Sequence, residues 1–229
     1  TDLYDRPGEV ASCFGGIAAV LEEFTRRVGS ITGTTSISVN RTLRHLPQPV
    51  FLHSECSLTM LSLEDYTRVL FAFDAAWSAR HRPFGIHFCG PDAHRFAPAF
   101  ARLPRLDFLD VGWGGDIRTL REALPDTFLN LRLSPVAMIT MDPDEVRATV
   151  RRLVAESGNP RLTGVCCINI DEKVPDRNIA AMFETAGFRI NHVGPVNPFS
   201  PRVELISRWT SGRLDHLFMT QIAVQGTRR

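Results

Sequence analysis

His87 and Cys89 stand two residues apart in His87-Phe88-Cys89-Gly90, at the close of an apolar run that begins at Phe84. Side chains alternate across a β-strand with period two, so an imidazole and a thiol at this spacing project from one side. At a strand end both can reach into a single cleft. With a third soft ligand from elsewhere, the pair makes an open zinc site, of the kind that leaves one position free and activates a bound nucleophile. Cys166-Cys167 offers that ligand, in a second apolar, strand-like run from Leu162 to Ile170. On a regular strand Cys166 and Cys167 point to opposite faces, so one faces the cleft and the other packs in the core. The plain alternative for His87 and Cys89 is a buried thiol beside a histidine bonded to backbone.

Two further segments carry groups able to assist. His53-Ser54-Glu55-Cys56 ends the short apolar run Val50-Phe51-Leu52, so Glu55, with His53 and Cys56 beside it, also stands at a strand end. Its plain reading is a carboxylate that caps the next helix or pairs with an arginine. Asp110 and Asp116 flank Val111-Gly112-Trp113-Gly114-Gly115, where the glycines allow close backbone approach. These aspartates are candidates to bind substrate or to orient His87, and Trp113 is a candidate wall for a flat ligand. The plain reading is a tight strand-to-helix turn with an N-cap. The glycines do not form G-x-G-x-x-G, so a dinucleotide site is not supported.

The elements that must position these groups alternate. Val10, Phe14, Ile17, Leu21 and Phe24 recur at helical spacing after Pro7, up to about Val28. Ser62-Leu63-Glu64-Asp65 starts a helix with an N-cap serine and early acids, and Asp142-Pro143-Asp144-Glu145 starts another. Five strands are expected between Val50 and Ile170, separated by helices of roughly ten residues, with the most reactive residues at the carboxyl ends. Such alternation means a parallel sheet, and in barrel and open α/β folds that end carries the active site. From residue 188 onward the chain reads as two strands, Arg202 to Trp209 and His216 to Gln225, joined by Thr210-Ser211-Gly212-Arg213 as a β-hairpin.

Composition narrows the field. The 229 residues are 44% hydrophobic and 22% charged, ordinary for a globular protein with a sizeable core. A net charge of +1 gives no reason to expect nucleic acid or an anionic membrane as partner. Lys173 is the only lysine, which reads as coding bias rather than phosphate binding. No apolar stretch reaches the roughly 18 residues of a membrane span. Five cysteines, an odd count without small-domain spacing, speak against a disulfide framework and for a reducing cytoplasm.

Several segments, in order, carry a resemblance. Leu3-Tyr4-Asp5-Arg6-Pro7-Gly8-Glu9-Val10 looks like the helix after a third barrel strand, and Leu61-Ser62-Leu63-Glu64-Asp65-Tyr66 looks like an "LSPEDY" helix start. His87-Phe88-Cys89-Gly90 is similar to an "HxCG" strand end. Leu131-Arg132-Leu133-Ser134-Pro135 sits where "GNLDP" is found, and Pro175-Asp176-Arg177-Asn178-Ile179 resembles "TPxENI". Together they resemble the uroporphyrinogen decarboxylase superfamily over about residues 1–187, and most nearly its zinc-dependent methyltransferases, which move a methyl group from a corrinoid protein to a thiol such as coenzyme M.

The resemblance implies an α/β fold derived from the (β/α)8 TIM barrel, apparently lacking the first three βα units, with residues 188–229 as a C-terminal β-hairpin extension. It implies zinc held by His87, Cys89 and Cys167 (or Cys166), with Cys167 slightly favoured. Glu55 and Asp110 become catalytic candidates, Glu55 as a fourth ligand displaced by substrate or a partner of His87. Trp113, Asp116 and His53 become substrate-binding candidates, with Trp113 against a corrin. The expected partners are a small-molecule thiol, a corrinoid (cobalamin) methyl donor carried on a partner protein, and a second copy or another subunit that completes the barrel. The decarboxylase histidine has no counterpart in Cys166-Cys167-Ile168-Asn169-Ile170, and the 229 residues hold no match to the arginine-rich N-terminal segment of decarboxylases. Two alternatives stand behind methyl transfer: a degenerate barrel serving as a corrinoid- or porphyrin-binding or structural subunit, and a decarboxylase-like lyase.

Overall fold

The computed structural model describes residues 2–33, 50–167, 170, 173–195 and 222–228, the last two strands by their backbone. Five strands, β1 (Phe51–Ser54), β2 (Phe84–Phe88), β3 (Phe108–Val111), β4 (Phe128–Arg132) and β5 (Thr163–Cys166), form one parallel sheet in the order β1-β2-β3-β4-β5. The helices are α1 (Asp2–Asp5), α2 (Pro7–Thr32), α3 (Leu63–Val69), α4 (Phe71–Arg80), α5 (Ala97–Phe100), α6 (Ile117–Ala123), α7 (Ala137–Thr140), α8 (Pro143–Glu156) and α9 (Asp176–Thr185). An unbroken strand order matters. Right-handed crossovers that always step the same way lay their helices on one face, as in a barrel wall, whereas a doubly wound sheet reverses direction and covers both. The fold is thus α/β with a five-stranded parallel sheet, consistent with part of an α/β barrel.

Register shows how the two faces divide. Leu52, Gly85, Phe108 and Phe128 lie in one row, and Ser54, His87, Asp110, Asn130 and Gly164 lie two residues further on, facing the same side. The lower row is apolar: Val50, Leu52 and Phe108 pack together with Phe128, whose ring stacks on Phe108 at 5.8 Å. A Cβ on Gly85 would meet Leu52 at 2.9 Å and Val50 at 3.0 Å, so only glycine leaves this layer room to close. The upper row is polar. On the opposite face the residues of the three central strands, Phe84, Ile86, Phe88, Leu109, Val111, Leu129 and Leu131, are buried. Phe88 meets Phe96 from the helix layer, within which Tyr66 packs edge-to-face on Phe96 and Phe100.

Helix starts follow the expected chemistry. Ser62 Oγ accepts from Asp65 N–H at 3.0 Å, and Asp142 Oδ1 accepts from the N–H groups of Asp144 and Glu145 while Glu145 returns a bond to Asp142 N–H. At the amino ends of β4 and β5, Arg121 spends its guanidinium on the carbonyls of Ser157, Leu124, Pro125, Thr127 and Leu162.

Helix α2 is differently held. Ala18 is its only buried residue, while Ile17, Val20, Leu21, Phe24 and Ile31 stay exposed. Its anchor is polar: Glu22 accepts from Trp77 Nε1–H at 3.2 Å and from Arg80 at 2.7 Å, and meets His81 Nε2 at 2.6 Å.

Two compact units divide the chain, one of residues 1–137 and 152–171, the other of residues 138–151 and 172–229. This boundary differs from the expected one after residue 187, because α9 lies beside β6 (Phe188–Pro195), which pairs antiparallel with β7 (Ile222–Arg228). Within this second unit the buried Asn178 amide donates to the carbonyls of Met138 and Met141. The first strand of the expected hairpin, residues 202–209, lies outside the described residues. The second overlaps β7, and its described partner is β6, a segment that the sequence reading did not assign to a strand. No helix among the described residues is long and apolar enough to cross a membrane.

Candidate metal centre

His87 is the penultimate residue of β2, on the polar row, and Cys89 stands just beyond the strand. Ligand atoms of His87, Cys89 and Cys56 all lie within 4.8 Å of one another. Cys56 opens the 3-10 turn Cys56–Met60 that follows β1, the immediate neighbour of β2. Glycines make this approach possible. A Cβ on Gly90 would collide with Thr59 of that turn, and one on Gly112 would collide with the carbonyls of Cys89 and Gly90. Gly90 thus lets the loops after β1 and β2, one with each thiol, approach one another, and Gly112 lets the loop after β3 close against the Cys89 backbone.

The thiol that gathers with His87 and Cys89 is that of Cys56; neither Cys167 nor Cys166 belongs to the cluster. Topology explains the difference. β5 stands three strand spacings from β2, about 14 Å along the sheet, whereas β1 is adjacent. Cys166 is committed elsewhere: it is buried opposite Arg132, and Asn130 Nδ2–H donates to its Sγ at 3.3 Å. Burial pushes the Cys166 thiol up to about 12 and the Cys167 thiol up to about 11.

Behind His87 runs a buried polar network along the same face. Asp110 Oδ2 is 2.6 Å from His87 Nδ1. Arg132 binds the same carboxylate in two places, Nε–H to Oδ1 at 3.0 Å and Nη2–H to Oδ2. Asn130 Nδ2–H also donates to Oδ1 at 3.0 Å. His87 Nδ1 is equally 2.6 Å from Arg132 Nη2, and one nitrogen cannot donate to a carboxylate while accepting from a guanidinium. Arg132 already has both of its bonds on Asp110, so we assign the imidazole proton to Nδ1, donated to Asp110, with the lone pair on Nε2. Arg132 Nη2 comes within 3.4 Å of that nitrogen as well, and Asp110 balances its charge. Burial alone would raise the Asp110 carboxyl, but the bonds from His87 and Arg132 outweigh it and hold it below the usual aspartate range.

Such a carboxylate–imidazole pair fixes ring orientation and makes the free nitrogen a better donor to a metal. One imidazole and two thiols form a set that suits zinc and leaves a fourth position open. Burial, reinforced by the neighbouring Cys56 thiol, pushes the Cys89 thiol up to about 11, which favours its protonated form.

The remaining candidates fall elsewhere. Glu55 and His53 are drawn away from His87 into a separate group with Asp74, with His53 Nε2 at 3.0 Å from Glu55 Oε1. The register puts His53 on the helix side of the sheet, where its ring lies 4.5 Å from Trp77. Asp116 is engaged as the cap of α6, accepting from Thr119 N–H at 3.1 Å and Thr119 Oγ1–H at 2.9 Å. Trp113 is 41% exposed and lines a cleft of about 100 Å³ with Gly112, Ile117, Leu131 and Arg132. That is well below the ~300–1,000 Å³ of a typical ligand pocket. Sequence reading passed over Asn130, Arg132 and Asp74. Asn130 and Arg132 had a visible mark, polar residues at i and i+2 inside the apolar run Phe128 to Leu133, the same spacing as His87 and Cys89. No protein-family model matches the chain, and no curated protein matches its sequence.

Proposed function

We propose that His87, Cys89 and Cys56 hold a zinc ion and that the protein is a thiol methyltransferase on a TIM-barrel-derived fold, taking its methyl group from a corrinoid donor. The observation that carries the metal site is the meeting of one imidazole and two thiols within 4.8 Å, backed by a carboxylate on the imidazole. Methyl transfer and the barrel type rest on the motif resemblance. Bound there, zinc would supply the positive charge that lowers the pKa of an acceptor thiol at the open position. The chain's own residues prepare that charge. Asp110 holds the His87 proton at Nδ1, Arg132 keeps Asp110 ionised, and Asn130 fixes the carboxylate from the β4 side. Gly90 lets the two thiol-bearing loops approach, and Gly112 lets the loop after β3 close on Cys89.

A second reading, a barrel that keeps the fold and has lost the chemistry, draws support from the small cleft beside Trp113, which leaves a corrin little room. The partner expected under either reading would cover β1, an edge strand among the described residues, or the exposed apolar residues of α2. Light scattering across protein concentration tests it.

Zinc per chain, measured by elemental analysis on protein purified without chelating resin, tests the site. Relative to wild type, Cys56→Ser and Cys89→Ser should each lower zinc by about one ion per chain, and Cys167→Ser should leave it unchanged. An unchanged zinc content in Cys89→Ser removes the site. With the site in place, thiol methylation from methylcobalamin separates the two readings: turnover lost in Cys89→Ser supports the enzyme, and none in wild type supports the degenerate barrel.

A further inference from the structure

On the other side of the same sheet, ligand atoms of His53, Glu55 and Asp74 also lie within 4.8 Å of one another. His53 comes from β1, Glu55 from the residue after it, and Asp74 from the first turn of α4. Glu55 is buried and Asp74 is fully so, at 0% exposure. One Asp74 oxygen, Oδ2, accepts from Tyr66 O–H at 2.7 Å. The other, Oδ1, is buried with no hydrogen-bond partner. His53 has its Nε2 on Glu55 Oε1 at 3.0 Å and Trp77 across its ring.

Tyr66 O–H and the His53 ring reach one oxygen each of the two carboxylates, and Asp74 Oδ1 is still left without a donor, which is costly for a buried carboxylate. A positive group beside Oδ1 relieves that cost. A shared proton would answer for one negative charge. A divalent cation answers for both, gives Asp74 Oδ1 a partner, and uses the imidazole lone pair as well. We propose that His53, Glu55 and Asp74 form a second, oxygen-rich metal site that binds a divalent ion of the manganese-to-zinc series and ties the end of β1 to α4. One imidazole with two carboxylates is a harder donor set than the thiol cluster, so manganese distinguishes the two.

The test is a Mn²⁺ titration of the reduced full chain, reading loss of the free-ion electron paramagnetic resonance signal. Wild type and the Cys56→Ser/Cys89→Ser variant should each take up about one Mn²⁺ per chain. His53→Ala and Asp74→Asn should weaken that uptake at least ~10-fold, and Mn²⁺ should raise the melting temperature of wild type but not of these variants. His53 is partly exposed, so its variant carries the test even if Asp74→Asn folds poorly. No uptake by chelator-treated, desalted wild type above that of the His53→Ala variant overturns the proposal. Uptake lost only in the thiol variant places the ion at His87 and overturns it too, without touching the zinc measurement above.

Discussion

The two faces of one sheet carry opposite kinds of polar cluster at nearly the same height. On the inner face every charge has found its counter-charge from the protein itself: Asp110 meets Arg132 and His87, and Asn130 completes the carboxylate. On the helix face Glu55 and Asp74 crowd together and leave Asp74 Oδ1 without a donor. Burial is comparable in both places, so burial is not what separates them. The separation comes from an arginine. A guanidinium on β4 can reach across two strands along the inner face, while on the helix face the same positions are filled by Phe88, Leu109 and Leu131.

The sharpest way to break this contrast is to remove the arginine. Arg132→Ala leaves Asp110 buried and short of its main counter-ion, and should cost about 3–5 kcal/mol in urea unfolding. A loss under ~1 kcal/mol would mean that the inner network is no better paired than the outer one. Next in size, Tyr66→Phe removes the one protein donor to Asp74 and should cost roughly 1–3 kcal/mol.

Opposite signs follow for the two aspartates. Asp110 has a lowered folded pKa, so its contribution is present above the ordinary value of 3.8 and fades as pH falls through the folded value. Asp74 has a raised one, so the native state keeps a proton that the unfolded chain has released, and stability drops as pH rises above 3.8 toward the folded value. In chelator, Asp74→Asn should therefore gain about 1 kcal/mol at neutral pH and lose that slope, while Asp110→Asn should be destabilised. Urea melts at a series of pH values read both. The smallest effect belongs to Glu22, which the Arg80 guanidinium, with His81, holds at about 2 against an ordinary 4.5. Glu22→Gln should cost no more than about 1 kcal/mol. In wild type the same contribution should fade between pH 4.5 and about 2, followed by the Trp77 fluorescence.

Much of the fold was legible because its strands are short apolar runs closed by turn residues. All five parallel strands fall where Val50, Phe84, Phe108, Phe128 and Leu162 begin such runs, to within a residue or so. His87 and Cys89 were legible for the same reason, since period two makes neighbours of alternate residues. What the sequence hid was distance across the sheet. Cys56 and Cys167 both follow strands and both carry a thiol, and only the strand order tells that one lies next to Cys89 and the other far along the sheet. Glu55 and Cys56 are adjacent in sequence yet diverge into different clusters, which no periodicity announces once the strand has ended. Asp74 is hidden differently: mid-sequence in an amphipathic helix start, an acid reads as a solvated charge, and only packing shows it sealed against Tyr66.

Helix α2 bears on how the molecule opens rather than on how it binds. A helix that buries little of its own apolar surface, and whose described side-chain bonds to the α4 region run through Glu22, has a small free energy of its own to lose. Its amides should exchange with solvent through a sub-global opening that leaves β2, β3 and β4 closed, and their protection should fall as salt screens Glu22 from Arg80. The core strands, sealed by Phe84, Phe88, Phe96 and Phe100, should exchange only when the whole sheet unfolds. The chain would then carry a detachable foldon at its N-terminal end, released by ionic strength well before denaturation.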